Sequence, residues 1–142
     1  MTGANPRSRA RSWALQVLYA WEVSGSTEEL AAFAGPTLAR RDISPRYRPY
    51  AEELLGELSR RMASVDALIQ SHLANWRLER LTAIDRGILR LATTELIAMP
   101  DVPRKVAIHE AIRLAERYGT EESPRFVNGV LDAVARDRTT TD

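Results

Sequence analysis

Apolar residues return along this chain every three or four positions, and no window alternates apolar and polar residues with the β-branched enrichment of a strand. That period predicts an all-α fold. A first helix is expected from about Arg7 to Ser24, with Ala10, Ala14, Val17, Leu18 and Trp21 on one face and Gly25 just past its end. Thr27 is the expected cap of a short second helix, and the chain after Gly35-Pro36 reads as an arginine- and proline-containing loop to Pro49. A third helix starts at about Arg46 or Tyr50 and runs to Ala63, turning Leu54, Leu55 and Leu58 inward. Ser64, followed by Asp66, marks a fresh start for a helix burying Val65, Leu68, Ile69 and Leu73.

The next start is sharper. Thr82-Ala83-Ile84-Asp85 has capping-box form: a hydroxyl accepts from an orphan backbone N–H and the carboxylate three residues on reaches back. It opens a central helix to about Ala98 that carries Ile84, Ile88, Leu91, Ala92 and Leu96. Pro100 ends it, Pro103 suits the first turn of the next helix, and Gly119 closes that one after Ala111, Leu114, Ala115 and Tyr118. Ser123-Pro124 open a last helix with Val127, Val130, Leu131 and Val134 inward, and residues 138–142 form a polar tail expected to fray. Together these make a compact bundle of about seven helices. With 142 residues, short connections and no internal repeat, the chain reads as one domain.

Composition narrows the chemistry. The absence of cysteine excludes disulfides, thiol nucleophiles and cysteine metal sites, and suits a reducing cytoplasm. No apolar run approaches the roughly eighteen residues of a membrane span, and Trp13 to Val23 is amphipathic where a cleavable leader would be apolar. His72 and His109 fall on different helices with no second ligand nearby in sequence, so no metal is expected. Glycine-rich phosphate loops, Gly-x-Ser-x-Gly elbows and His-Glu-x-x-His patterns are all missing, and the carboxylates sit mostly on polar helix faces. These observations favour a binding protein over an enzyme, with no cofactor.

Net charge is only +1, but it is unevenly spread. Residues 1–49 hold seven arginines against four acids, while the remainder carries 13 basic and 15 acidic residues. Nineteen of the twenty basic residues are arginine, which fits either bidentate phosphate recognition or a coding bias. On the first helix, Arg9, Ser12, Gln16 and Tyr19 share an arc opposite Ala14, Val17 and Trp21, with Arg7 and Arg11 flanking it. The strip is about 20 Å long. Guanidinium for phosphate, amide for base edges and an aromatic ring for stacking are the groups that single-stranded RNA recognition uses. The alternative is a solvated basic helix start with one incidental tyrosine. Basic charge at a helix N-terminus opposes the macrodipole, a placement that a bound polyanion would offset. Two further residues stay open: Asp85 is either the capping carboxylate or a partly buried acid awaiting an arginine, and Phe126 either completes the core or offers its ring to a ligand.

Three blocks of sequence resemble the NusB family in order and spacing: Arg9-Ala10-Arg11 through Tyr19, Asn75-Trp76-Arg77-Leu78-Glu79-Arg80-Leu81, and Asp85 through Ala92. The similarity is stronger from Asp101-Val102-Pro103 through Val106 to Ala111, Tyr118-Gly119, and Phe126-Val127-Asn128-Gly129-Val130-Leu131-Asp132. It spans about residues 7 to 135 and is weakest between 25 and 48. The resemblance implies two small packed helical subdomains, about 7–62 and 64–137. It also implies a non-catalytic transcription antitermination role in ribosomal RNA operons. The implied partners are single-stranded boxA RNA, the ribosomal protein NusE and the antitermination complex with RNA polymerase. By position, Arg7, Arg9, Arg11, Tyr19, Glu122 and Phe126 carry over as RNA-binding residues beside Gln16, and Asp85 as a partner-binding acid. Two other roles occur with the same domain: the N-terminal RNA-binding module of ribosomal RNA cytosine methyltransferases, and a self-associating scaffold whose homodimer covers the RNA strip.

Overall fold

Six α-helices and one 3-10 turn follow one another along the chain: α1 Pro6–Val23, α2 Leu30–Arg40, α3 Arg48–Gln70, the turn Leu78–Arg80, α4 Ala83–Ala98, α5 Arg104–Tyr118 and α6 Ser123–Thr141. This is a computed structural model; it describes residues 6–141, and side chains from Pro6 to Asp137. No strand occurs among the described residues, as the helical period requires. The chain divides into two compact units, Met1–Arg60 and Arg61–Asp142, and the division falls inside α3.

Six helices rather than seven form because α3 does not break at Ser64. Ser64 is exposed and neither proline nor glycine lies between Glu57 and Gln70, so nothing interrupts the backbone ladder. Asp66, read as part of a helix start, instead accepts both prongs of the Arg90 guanidinium from α4, at 2.8 and 2.9 Å.

In the first unit α1 packs on α2. Ala14, Leu15, Val17 and Leu18 of α1, Leu30 and Leu38 of α2, and Leu54, Leu55 and Leu58 of α3 are buried, each Leu contributing about 1.5–3 kcal/mol. Gly25, at φ +101°, turns the chain out of α1 in the left-handed region. Two expectations for α2 fail. Its cap position is Glu29, not Thr27, and no side chain of its own caps it. Ser59 of α3 supplies the hydroxyl instead, accepting from Ala31 N at 3.0 Å. The helix also continues through Gly35-Pro36 to Arg40. An interior proline removes one ladder bond, here to the exposed Ala32, at roughly 3 kcal/mol. Burial of Thr37 and Leu38 beyond it offsets that loss.

In the second unit α4, α5 and α6 pack on one another. Ala107, Ala111 and Ala115 recur at helical spacing on the buried side of α5, and Leu89 of α4 and Val127, Leu131 and Val134 of α6 are buried in the same unit. At Gly119 a Cβ would stand 2.5 Å from Ser123 Oγ, so only glycine fits the turn from α5 to α6. Buried Ser123 accepts there from Thr120 N at 2.9 Å. α6 extends to Thr141 where a frayed tail was expected, because no helix breaker follows Gly129; Asp142 lies outside the described residues.

The Asp66–Arg90 pair leads to a stability test. Arg90 is 12% and Asp66 28% exposed, so Asp66→Ala takes two hydrogen bonds from a largely buried guanidinium. Urea unfolding should show a loss of about 2 kcal/mol, and the double change Asp66→Ala with Arg90→Met should recover part of it.

Candidate nucleic-acid interface

The first two turns of α1 carry guanidinium groups at the positive end of a helix, with no acid in the first turn to balance the dipole. Aromatic rings from the start of α3 take that role. Arg7 lies 4.5 Å and Arg11 5.5 Å from the centroid of Tyr50, so one ring serves two guanidiniums one helical turn apart. Arg9, on another side of the helix, lies 6.0 Å from the ring of Tyr47. Such contacts stabilise by roughly 0.5–2 kcal/mol, more as the cation is desolvated.

The strip read from the sequence is present in part. Arg9 is exposed, Tyr19 is 46% exposed, and Gln16 is half-buried between them on the same arc. Arg7 is half-buried against Tyr50. Arg11 is the correction: expected to flank the solvent arc, it is only 3% exposed. The helical wheel contains the reason, since 100° per residue places Arg11 between Leu15 and Leu18, both buried. Tyr47 was missed because it falls in the stretch where resemblance is weakest and a loop was expected, and Tyr50 was read only as a possible start of the third helix. Their spacing of three, just before the apolar run of α3, was the available signal.

The remaining site residues belong to the second unit. Glu122 is exposed and Phe126 half-buried, with Phe126 N donating to Glu122 O at 3.1 Å in the first turn of α6. At the start of α4, Thr82 Oγ1 accepts from Asp85 N at 3.1 Å, which is half of the expected capping box. The reciprocal half is missing. Asp85 Oδ1 is buried and meets no hydrogen-bond partner among the described residues. A carboxylate oxygen left so is an acceptor in need of a donor, a deficit of about 1–3 kcal/mol.

The segment before α4 is held by side chains. Gln70 donates to Trp76 O at 2.9 Å and accepts from Leu78 N at 2.8 Å, while Arg86 donates to Leu81 O at 2.6 Å and Leu78 O at 3.2 Å. Trp76 is 59% exposed on this frame. The histidines go separate ways: His72 Nε2 lies 3.1 Å from Asp137 Oδ2, and His109 is exposed on α5. Among the described residues no group of three or more His, Cys, Asp or Glu is placed to hold a metal, and no helix is long and apolar enough to cross a membrane.

Residues 8–136 match the NusB family. The chain belongs to that family. A transcription antitermination protein NusB from Sorangium cellulosum is 44% identical over 133 residues, covering 92% of each chain, and one from Salinibacter ruber is 43% identical, covering 92% of this chain and 81% of its own. Among solved structures, T. maritima NusB superposes with a TM-score of 0.83 at 35% identity, over 96% of this chain and 94% of that one. A crystal structure of the antitermination factors NusB and NusE in complex with dsRNA gives 0.81 at 28% identity, over 93% and 97%. The family match takes in every candidate site residue except Arg7, which precedes it by one position.

One titration reports on the segment beneath Trp76. The Arg77 guanidinium, hydrogen-bonded at 3.0 Å, holds the Glu79 carboxyl below its ordinary value. Its contribution to the folded state is therefore present above the ordinary carboxylate range and fades as pH falls through the lowered value. In Arg77→Ala, an NMR pH titration of Glu79 should move back up towards the unperturbed range.

Proposed function

We propose that this chain is a transcription antitermination factor that binds boxA-type single-stranded RNA together with the ribosomal protein NusE, in the cytoplasm, at ribosomal RNA operons. The observation that carries the reading is the exposed arc of α1, where Arg9, Gln16 and Tyr19 follow one another beside an Arg7 fixed on Tyr50. Its relatives are named transcription antitermination proteins, and a structural neighbour is a complex of NusB with NusE and RNA. That neighbour's RNA is double-stranded. For this chain the exposed phenol of Tyr19 favours a single strand, because a ring face stacks on a base only where the base is unpaired.

Each residue then has a physical task. Arg7 and Arg9 neutralise phosphates, Gln16 reads a base edge and Tyr19 stacks. Arg11, buried, serves the RNA from beneath: it holds Tyr50 and adds positive potential to the surface. On the second unit, Glu122 offers an acceptor for base amino groups and Phe126 a ring. Asp85 is the partner-binding residue, since its buried oxygen lacks a donor that an arginine or lysine of NusE would supply. Nothing is turned over: the chain adapts RNA to protein, within the RNA polymerase complex.

Two tests follow. With Arg7 and Arg9 as the direct phosphate contacts, the slope of log affinity on log salt for a boxA-type single strand should be about −1.4. Tyr19→Ala should weaken binding about tenfold, and an affinity indifferent to salt, to Tyr19→Ala and to the double Arg7→Ala, Arg9→Ala change would defeat the assignment. Asp85→Asn should weaken capture of NusE while leaving RNA affinity in its absence unchanged; equal loss of both would remove the partner role from this acid.

A further inference from the structure

We infer that the turn leading into α3, residues Ser44–Arg48, forms an additional nucleotide subsite that takes an unpaired RNA base and its phosphate beyond the segment held by α1. The inference rests on the RNA-binding reading above and extends it to residues outside that reading. Three observations support it.

The backbone of the turn is held by hydrogen bonds. Ser44 O accepts from Tyr47 N at 3.0 Å and from Arg48 N at 3.1 Å, and Ser44 Oγ accepts from Arg46 N at 3.2 Å. Asp42, at φ 55°, sets the entry in the left-handed region that few side chains adopt. Arg46, Tyr47 and Arg48 therefore project from a fixed frame.

The charge on this frame is uncompensated. Arg46 is exposed and, like Arg9, makes no ion pair among the described residues. Arg48 Nε is buried and has no hydrogen-bond partner among them. A buried guanidinium N–H without an acceptor is a deficit that a phosphate oxygen would remove. Arg46 and Arg48 flank Tyr47 in sequence and Arg9 lies over its ring, a set of cations that favours an anion.

The ring selects the kind of anion. Tyr47 is half-buried, so part of its ring meets solvent, and Arg9 already lies 6.0 Å from its centroid. Flat guanidinium and phenol groups together make a stacking surface for an unpaired base. Because Arg9 also belongs to the exposed arc of α1, the subsite is continuous with the strip carrying Gln16 and Tyr19. A strand leaving that strip past Arg9 reaches Tyr47 next.

The test compares a boxA-type RNA with the same RNA extended by about four unpaired adenosines at either end. The full chain should bind one of the extended forms more tightly. Tyr47→Ala should abolish that gain, about tenfold, and weaken the short RNA by a much smaller factor, through the loss of its contact with Arg9; Tyr47→Phe should retain the gain. Arg46→Ala, at an exposed position, should lower the salt slope for the extended RNA by about 0.7. Thermal midpoints of the variants close to that of the parent chain exclude unfolding as the cause. If extension brings no gain, or if Tyr47→Ala keeps it while Tyr19→Ala weakens both RNAs, the subsite is wrong and the α1 reading stands. Indifference of both RNAs to Tyr19→Ala and Tyr47→Ala alike would overturn both. A poly-glutamate peptide bound through Arg46 and Arg48, with the extended RNA unaffected by their loss, would assign the patch to an acidic protein segment and also overturn the subsite.

Discussion

The ring of Tyr50 lies against two guanidinium groups of α1, and the basic start of that helix depends on this contact. Arg7 and Arg11 stand at the positive end of a dipole with no acid in the first turn, an arrangement that solvent alone supports poorly. Tyr50 answers with the negative face of its π-system and is itself only 8% exposed, so the cations rest on the core rather than reaching away from it. This fixes which side of α1 faces outward. Arg9, Gln16 and Tyr19 become a surface because Arg7 and Arg11 are tied down on the other side.

The second unit handles polarity differently. Alanines line the buried side of α5, and the unit's polar groups are placed by paired directed bonds: Asp66 on Arg90, Gln70 on Trp76 O and Leu78 N, Arg86 on the carbonyls of Leu78 and Leu81. Two side-chain oxygens of α4, Asp85 Oδ1 and Thr93 Oγ1, are buried without a hydrogen-bond partner among the described residues, and of the two only Asp85 carries a charged group. That charge is why Asp85, rather than Thr93, is the residue proposed to meet a partner.

Much of this was legible from residues alone. Helical class, the ends at Gly25, Ala98 and Gly119, the start at Thr82 and the outward face of Tyr19 all follow from period and punctuation, which are local properties. The failures share a cause. Ser64 looked like a start because Ser-x-Asp is a capping pattern, but Asp66 was committed to Arg90 on a different helix. Thr27 looked like a cap, but the hydroxyl came from Ser59, distant in sequence. Arg11 was read by its charge when its angle on the wheel already placed it among leucines. Tyr47 and Tyr50 carried no motif, and their meaning appears only when α3 brings them against α1. Tertiary partners, not propensities, decided each of these.

The turn at Gly119 shows how the start of α6 can hang on a missing atom. The hydrogen of Gly119 occupies space that a methyl group would contest with the Ser123 hydroxyl. That hydroxyl is the hinge pin of the corner, engaged with Thr120, and the first turn of α6 is laid down from it. Glu122 and Phe126 flank that pin, so their bearing towards any ligand is inherited from the emptiness next door. Variation at Gly119 would thus be felt as a rotation of Glu122 and Phe126, the residues proposed to meet RNA.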